Sequence, residues 1–362
     1  MVGRKGSLTK SSTTKDKVID KKIAIVCDTH FGVRKGSQFF HDYFQQFYEG
    51  TFFQYLDSHS IDTVVHVGDC FDSRKAIDYW SLEWAKRVFF NPLRERGIQL
   101  HLLVGNHDSF YKNTLDINSP SLNLREYDNV HVYDRPQTIS VKDTQLFMVP
   151  WICEDNAQEF TEQLDASSAD ICFGHLELAG FYANKDYKCD HGTDPKVFDK
   201  FSSVFSGHFH KKSKKGNITY LGNTYQIYWN DEGETRGFHT LDLATDELEF
   251  IANPKNMFHK IYYKNETVLE YHQYKDTYVK LIVEDQMTPI QLSNVVDNLY
   301  KWGCYDVKVI ENVNIDVDED VEVESEDTLT TLTNYVKAMD DTINKQNLID
   351  IFKSLYVESQ EV

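Results

Sequence analysis

Asp28, His30, Asp69, Asn106, His175, His208 and His210 are the side chains in this sequence best suited to hold divalent metal ions. They fall in five short elements: Asp28-Thr29-His30, Gly68-Asp69-Cys70-Phe71-Asp72, Gly105-Asn106-His107-Asp108, Gly174-His175 and Gly207-His208-Phe209-His210. Each element ends a short apolar run. Hard dications take carboxylate oxygen, and Mn, Fe or Zn also accept imidazole. A two-metal site needs about seven O and N ligands drawn from distant parts of a chain. Asp69 is the natural bridge, because a carboxylate has two oxygens and this one follows the central run Thr63–Val67. Asn106 offers a neutral amide oxygen. His208 and His210 are two apart, so in an extended segment they point the same way. The flanking glycines allow sharp turns and close backbone approach. Two ions about 3.5–4 Å apart would clamp a phosphate and generate hydroxide from a bridging water at neutral pH. Any one element alone is an ordinary turn or surface loop. All five in order, each after a strand, make the signal. The nine remaining histidines are read as surface or core.

The elements that must position these residues alternate along the chain. Buried strands are expected at Ile23–Cys27, Thr63–Val67, Gln99–Val104, Gln145–Val149, Ile171–Phe173, Ser203–Phe205 and Thr219–Leu221. Phe39 to Leu56 reads as an amphipathic helix. Ile77, Trp80, Trp84 and Val88 recur at helical spacing, so a second helix is expected from Ile77 to about Arg96, with Gly97 as its stop. Alternation of this kind gives an α/β sandwich or doubly wound sheet. Open α/β sheets bind ligands beyond the carboxyl ends of their strands, which is where the five elements stand.

This block spans residues 21–253. A polar Lys/Ser/Thr-rich leader, residues 1–20, precedes it and has no apolar stretch of the signal-peptide kind. Its basic residues (Arg4, Lys5, Lys10, Lys15 and Lys17) read as a solubilising tail, with a phosphate-binding arm as the other reading. Residues 254–314 read strand, helix, strand over Tyr278–Val283, Pro289–Trp302 and Val307–Ile310, a small α+β domain. Residues 315–327 form an acidic linker whose like charges self-repel. In 328–362, Leu329, Leu332, Val336 and Met339 line one helix face, and Leu348, Ile351, Phe352 and Leu355 line another. Two such helices are too short to fold alone. They dock on a partner or fold back on this chain, and the pattern does not choose.

The net charge is −19, of which Glu311–Val362 carries −11, from 14 acids against three lysines. That acidity argues against indiscriminate coating of DNA without excluding local phosphate contacts. No apolar run approaches the roughly 18 residues of a membrane span. The six cysteines form no CxxC pair and read as reduced thiols of a cytosolic protein.

The five elements together resemble the calcineurin-like metallophosphoesterases, whose blocks read DxH, GDxxD, GNHD/E, GH and GHxH. The resemblance implies an α/β fold: a two-sheet β sandwich flanked by helices, with a small α+β capping domain and a C-terminal helical pair. It implies one metal held by Asp28, His30, Asp69 and His210, and a second held by Asp69, Asn106, His175 and His208. His107 would protonate the leaving oxygen, with Asp108 orienting its imidazole. The stretches GDCFDSRKAIDYW, LHLLVGNHDSFYKN, VPWICEDN, CFGHLELAGFY and FSGHFH, within roughly residues 21–255, resemble the SbcD-type DNA double-strand-break repair nucleases, particularly those of T-even-like bacteriophages.

That finer resemblance implies a DNA nuclease with 3′-to-5′ exonuclease and single-strand endonuclease activity. It implies two divalent ions, Mn2+ with Mg2+ as the other option, and the cytoplasm of a bacterial host. It implies an SbcC-type coiled-coil ATPase partner in a 2:2 complex, gripped by the terminal helices (Leu329, Leu332, Val336, Leu348 and Phe352). A nuclease homodimer would form through Ile77, Trp80 and Trp84, ordinary core being the other reading of that stripe. Archaeal and eukaryotic relatives carry a His where Asp72 stands, so the part Asp72 plays is open. Arg34, Arg74, Lys75 and Lys112 sit beside the motifs and could contact DNA phosphates or simply be solvated. The alternative functions are a small-substrate phosphatase or cyclic-nucleotide phosphodiesterase on the same fold, and a non-catalytic scaffold. Intact His107 and an intact ligand set argue against the scaffold.

Overall fold

Runs such as Ile23–Val26 and Val64–Val67, buried on both faces, demand partners above and below. The computed structural model supplies them as two stacked sheets. It describes residues 21–183, 188–264, 267–285 and 287–311. The strands in chain order are β1 (Lys22–Val26), β2 (Thr63–His66), β3 (Gln99–Leu103), β4 (Val130–Tyr133), β5 (Gln137–Val141), β6 (Thr144–Val149), β7 (Ile171–His175), β8 (Ser203–Gly207), β9 (Ser213–Lys215), β10 (Ile218–Tyr220), β11 (Gly237–Asp242), β12 (Glu247–Ala252), β13 (Phe258–Tyr263), β14 (Tyr278–Val283) and β15 (Asp306–Glu311). The first sheet runs β12-β11-β1-β2-β3-β4 and the second β5-β6-β7-β8-β10-β9.

Residues alternate across each strand. Ile23, Ile25, Val65 and Val67 of the first sheet share one core with Leu146, Met148, Ile171, Phe173 and Phe205 of the second. That core makes the pair a two-sheet sandwich. On the outer side of the second sheet, Val149, Cys172 and Val204 pack with Phe160 and Leu164 of the helix Ala157–Ala166. β1, β2 and β3 are mutually parallel, as are β6, β7 and β8, so within each set the carboxyl ends lie together.

Both expected helices form, each with a π-helical turn inside. Gln38–Phe47 continues through a π turn at Tyr48–Phe52 into Phe53–Ser58. Tyr79–Ala85 continues through Lys86–Phe90 into Asn91–Glu95. The two π turns face each other, with Tyr48 and Phe89 ring centres 5.1 Å apart. A π turn adds a residue without ending a helix, so hydrophobic spacing shows the helix and hides the turn. The second helix begins after Ile77, because the Asp78 carboxylate accepts the Ser81 N–H at 2.8 Å and caps it there.

Trp84 corrects the expected interface. It is fully buried and stacked on His41, with ring centres 4.5 Å apart. A side chain with no exposed surface is core and offers nothing to a second chain. Trp80 and Tyr79 of the same helix are exposed, and Ile77 lies half-buried in the preceding loop.

Among the described residues, a second compact unit comprises residues 228–232 together with the chain from Phe258 to Glu311. In it β13, β14 and β15 form a parallel three-stranded sheet. The helix Pro289–Lys301 opens on a Thr288/Gln291 capping box and buries Val295 and Leu299 on Val279 and Leu281. β13 is an addition to the strand–helix–strand reading. Trp229 packs on Phe258 and under the Lys280 amine. The expected acidic linker and the terminal helices, with Leu329, Leu332, Val336, Leu348 and Phe352, lie outside the described residues. No helix among the described residues is long and apolar enough to cross a membrane.

Candidate metal centre

The loops after β1 and β2 run side by side. The N–H groups of Asp28, His30 and Phe31 donate to the carbonyls of Gly68, Asp69 and Cys70 at 3.1, 3.1 and 2.9 Å. This ladder brings Asp28, His30 and Asp69 together. Asp28 (φ 50°), His30 (φ 43°), Asp69 (φ 52°) and His208 (φ 78°) all take the left-handed conformation. That region is costly for residues other than glycine and persists where the surroundings over-determine it. The strain here falls on four of the seven expected ligands.

Close approach explains the glycines. A Cβ on Gly105 would run into the carboxylate and backbone nitrogen of Asp69, and one on Gly68, which has φ 99°, into the His175 ring. Asn106 therefore reaches the centre beside Asp69.

The Asp28 and Asp69 carboxylates are each pinned through one oxygen. Asp28 Oδ1 accepts the His208 N–H at 3.0 Å, and Asp69 Oδ1 accepts the His107 N–H at 2.8 Å. The second oxygen of each is left pointing inward. Asp28 Oδ2 is buried with no hydrogen-bond partner. Asp69 Oδ2 stands 3.2 Å from His175 Nε2 and 3.9 Å from His30 Nε2, between the two halves of the centre.

The imidazoles follow the same rule. His175 Nδ1 donates to the Val67 carbonyl at 2.8 Å, and its Nε2 lies 2.9 Å from Asn106 Oδ1. His30 Nδ1 lies 3.2 Å from Asp72 Oδ1, and its Nε2 is 3.2 Å from His210 Nε2. His208 Nδ1 is buried and without a partner, while its Nε2 is 3.8 Å from Glu177 Oε1. Lone pairs therefore crowd against lone pairs, with a carboxylate or carbonyl behind the rings of His30 and His175. That is the arrangement of metal-ligating histidines and their outer partners. The donor set of carboxylates, imidazoles and one amide suits a pair of divalent ions.

Three groupings of potential ligands lie here, the first two sharing His30: Asp28, His30 and His210; His30, Asp72 and His107; and Asp69, His175 and His208. Burial opposes a proton on His175, but the Asp69 carboxylate outweighs it, with Asp28 and the Val67 carbonyl behind, and lifts that imidazole to about 9. Burial also opposes a proton on His30, and the Asp72 hydrogen bond overcomes it, so its pKa too is raised. The metal-free centre thus takes protons where a cation would sit.

Asp108 departs from the expectation. Its carboxylate accepts the N–H groups of Phe71, Gly105 and Cys70 at 2.9, 3.0 and 3.2 Å. It ties the loops after β2 and β3 together and does not orient His107. Burial and then the Asp69 charge raise its pKa to about 6, against those three bonds. The His107 Nδ1 instead donates to the Asp72 carbonyl at 2.7 Å. Asp72 thus serves two imidazoles: its side chain meets His30, and its backbone carbonyl meets His107. His107 is half-buried, its ring centre 4.9 Å from that of His30.

Two neighbours fell outside the motifs. Trp151, after β6, packs its ring 4.9 Å from His208. Glu177, two residues past His175, faces His208 and also groups with Cys189 and His191. An acid so close to a ligand was the available signal. Of the basic residues beside the motifs, Lys75 and Lys112 are exposed and Arg34 is half-buried at φ 55°. Arg74 donates to the carbonyls of Ser109 and Tyr111 at 3.1 and 3.4 Å, which holds its guanidinium on the loop after Asp108.

Comparison with known proteins agrees with this geometry. The family model for calcineurin-like phosphoesterases matches residues 21–283. The chain is 34% identical over 318 residues to exonuclease subunit 1 of Enterobacteria phage T4, covering 85% of this chain and 91% of that one. It is 26% identical over 237 residues to the putative phosphoesterase 244L of Invertebrate iridescent virus 6, covering 63% and 78%. A solved structure described as a novel archaeal phosphodiesterase matches at 13% identity and a TM-score of 0.34, over 64% of this chain and 99% of that one, and we draw nothing from it. By the extent of the first two matches, the chain belongs to the calcineurin-like phosphoesterases, enzymes that hydrolyse phosphate esters with divalent metal ions.

Proposed function

We propose that this chain is a two-metal DNA nuclease. It acts as a 3′-to-5′ exonuclease and single-strand endonuclease within a complex that processes double-strand breaks. The observation that carries the reading is the 34% identity, over 85% of this chain, to a phage protein whose name is exonuclease subunit 1. In this reading the partner is an SbcC-type coiled-coil ATPase gripped by residues 328–362. The nuclease pairs with a second copy to give a 2:2 complex in the host cytoplasm, and residues 254–314 cap the site. The exposed Tyr79 and Trp80 support a pairing surface on the helix after β2.

Asp28, His30, Asp69 and His210 would hold one ion, and Asp69, Asn106, His175 and His208 the other. The unpartnered Asp28 Oδ2 and His208 Nδ1 support that division. Bound there, Mn2+ or Mg2+ supplies a charge clamp on the phosphate and an activated water. The protein's own groups do the rest. Asp72 and Val67 commit the Nδ1 atoms of His30 and His175, so Nε2 of each faces inward. His107 acts as the general acid. Its Nδ1–H is held by the Asp72 carbonyl, so the imidazolium presents Nε2–H to the departing sugar oxygen.

The test uses the full chain with Mn2+, incubated with single-stranded DNA, linear duplex DNA and a small phosphate ester, beside His107→Ala. DNA cleavage that falls by about 10²- to 10⁴-fold in the variant supports both the nuclease and its acid. Ester hydrolysis with no DNA cleavage, even with a coiled-coil ATPase partner added, overturns the reading in favour of a small-substrate phosphatase or cyclic-nucleotide phosphodiesterase.

A further inference from the structure

Beside the centre, the second sheet carries cations that the chemistry above does not use. Lys211 directly follows His210, and Lys215 ends β9 at the sheet edge. Lys188 pairs with Tyr182 in an isolated bridge. The Lys211 and Lys188 amines lie 5.6 and 6.0 Å from the Tyr182 ring centre, and the Lys215 amine lies 5.9 Å from that of Phe181. Phe181 is buried against Tyr220, whereas Tyr182 is 46% exposed.

Among the described residues, none of these three amines has a carboxylate partner. In a chain of net charge −19, acids are plentiful, and surface lysines such as Lys22, Lys86 and Lys142 do find them. The nearby Glu177 and Asp190 face His191 instead. Neighbouring lysines are sorted away: the Lys212 amine packs 3.4 Å from the Phe250 ring centre, and Lys214 alternates to the other face of β9 from Lys215. Three like charges therefore converge on one aromatic pair with no counter-charge among the described residues, and one of them is covalently next to a residue of the centre.

We propose that Lys188, Lys211, Lys215 and Tyr182 form a platform for single-stranded nucleic acid running to or from the metal centre. The lysines take backbone phosphates and Tyr182 stacks a base. Unpaired amines match phosphates, and an exposed ring matches a base freed from its duplex stack. The loose amine–ring contacts are ones that a bound phosphate would draw the lysines out of. The proposal rests on the nuclease reading and names the strand that its site receives.

The test compares the full-chain wild type with Lys188→Ala/Lys211→Ala/Lys215→Ala, Tyr182→Ala and Tyr182→Phe, all with Mn2+. Binding and cleavage of a single-stranded oligonucleotide and of its duplex are measured against salt, alongside hydrolysis of bis-p-nitrophenyl phosphate. Each single-strand phosphate contact contributes about 0.7 to the slope of log K against log salt. The triple variant is expected to lose about 2 from that slope. Tyr182→Ala is expected to weaken strand binding roughly tenfold, and Tyr182→Phe to retain it. In the triple variant and in Tyr182→Ala, the ratio of strand cleavage to diester hydrolysis falls. An unaltered slope and ratio in the triple variant overturns the platform, as does tight binding by Tyr182→Ala. A loss confined to duplex DNA overturns it too. A wild type that hydrolyses the diester and neither binds nor cuts the strand overturns the nuclease reading, and the platform with it.

Discussion

His30 and His175 enter the centre from different sheets and are held in different ways. His30 sits in a loop after β1, in the left-handed region at φ 43°, and its Nδ1 is met by the Asp72 carboxylate. His175 is the last residue of β7, and its Nδ1 is met by the Val67 carbonyl. The first-sheet half is thus a strained loop steadied by a particular side chain. His175, in the second sheet, is regular strand steadied by backbone. A side chain can be replaced while a carbonyl remains whatever the residue, so the two halves should answer differently to substitution.

The largest effect separates catalysis from ligation. His107 is held by the Asp72 carbonyl, not by its carboxylate. We expect His107→Ala to slow phosphodiester cleavage by about 10²- to 10⁴-fold while metal content, read by elemental analysis, stays at the wild-type value. Next comes the side-chain orienter. Asp72→Asn should weaken the ion at His30 by about 10- to 100-fold and leave the ion at His175 nearly untouched, seen as one weakened step in a metal titration. Equal weakening of both steps would erase the distinction between the halves.

The pH dependence follows from His175. Its pKa, about 9 in the folded metal-free protein, lies above the ordinary histidine value. A raised pKa contributes stability that is present below about pH 6.5 and is lost as pH rises towards 9. Chemical denaturation of the chelated protein should therefore show falling stability from pH 6.5 to 9, and the metal-loaded protein should not. Stability that rises over that window would contradict the assignment. A smaller effect comes from the close approach of the β2 and β3 loops. Gly105→Ala drives a Cβ into Asp69 and should cost about 1–3 kcal/mol, with weaker metal binding, by the same denaturation assay. The smallest single effect lies outside the centre. Trp80→Ala should alter stability by no more than about 0.5 kcal/mol, against about 3–5 for the buried Trp84→Ala.

Much of the centre was legible because residue type and strand-end position are both written in sequence. Asp28, Asp69, Asn106, His175 and His208 stand where five apolar runs end, and the structure brings them together with His30, His107 and His210. What was not legible is what the backbone does. The carbonyls of Val67 and Asp72 hold two imidazoles, and no residue type announces a carbonyl's aim. The resemblance likewise implied Asp108 on His107, whereas its carboxylate accepts three N–H groups from two loops. Helical spacing placed Trp80 and Trp84 on one stripe. The π turn at Lys86–Phe90 and the cap at Asp78 are local hydrogen-bond choices that spacing does not report. Glu177 and the Lys188–Lys211–Lys215 group lie off the motifs, and only the pairing of the second sheet gathers them.

The most direct measurement is a calorimetric titration of Mn2+ into chelated full-length protein, repeated on Asp69→Ala. The two-metal account predicts two ions per chain for the wild type, and loss of both tight steps when the carboxylate between His30 and His175 is removed. One ion per chain, or an Asp69→Ala variant that still binds two tightly, would contradict it.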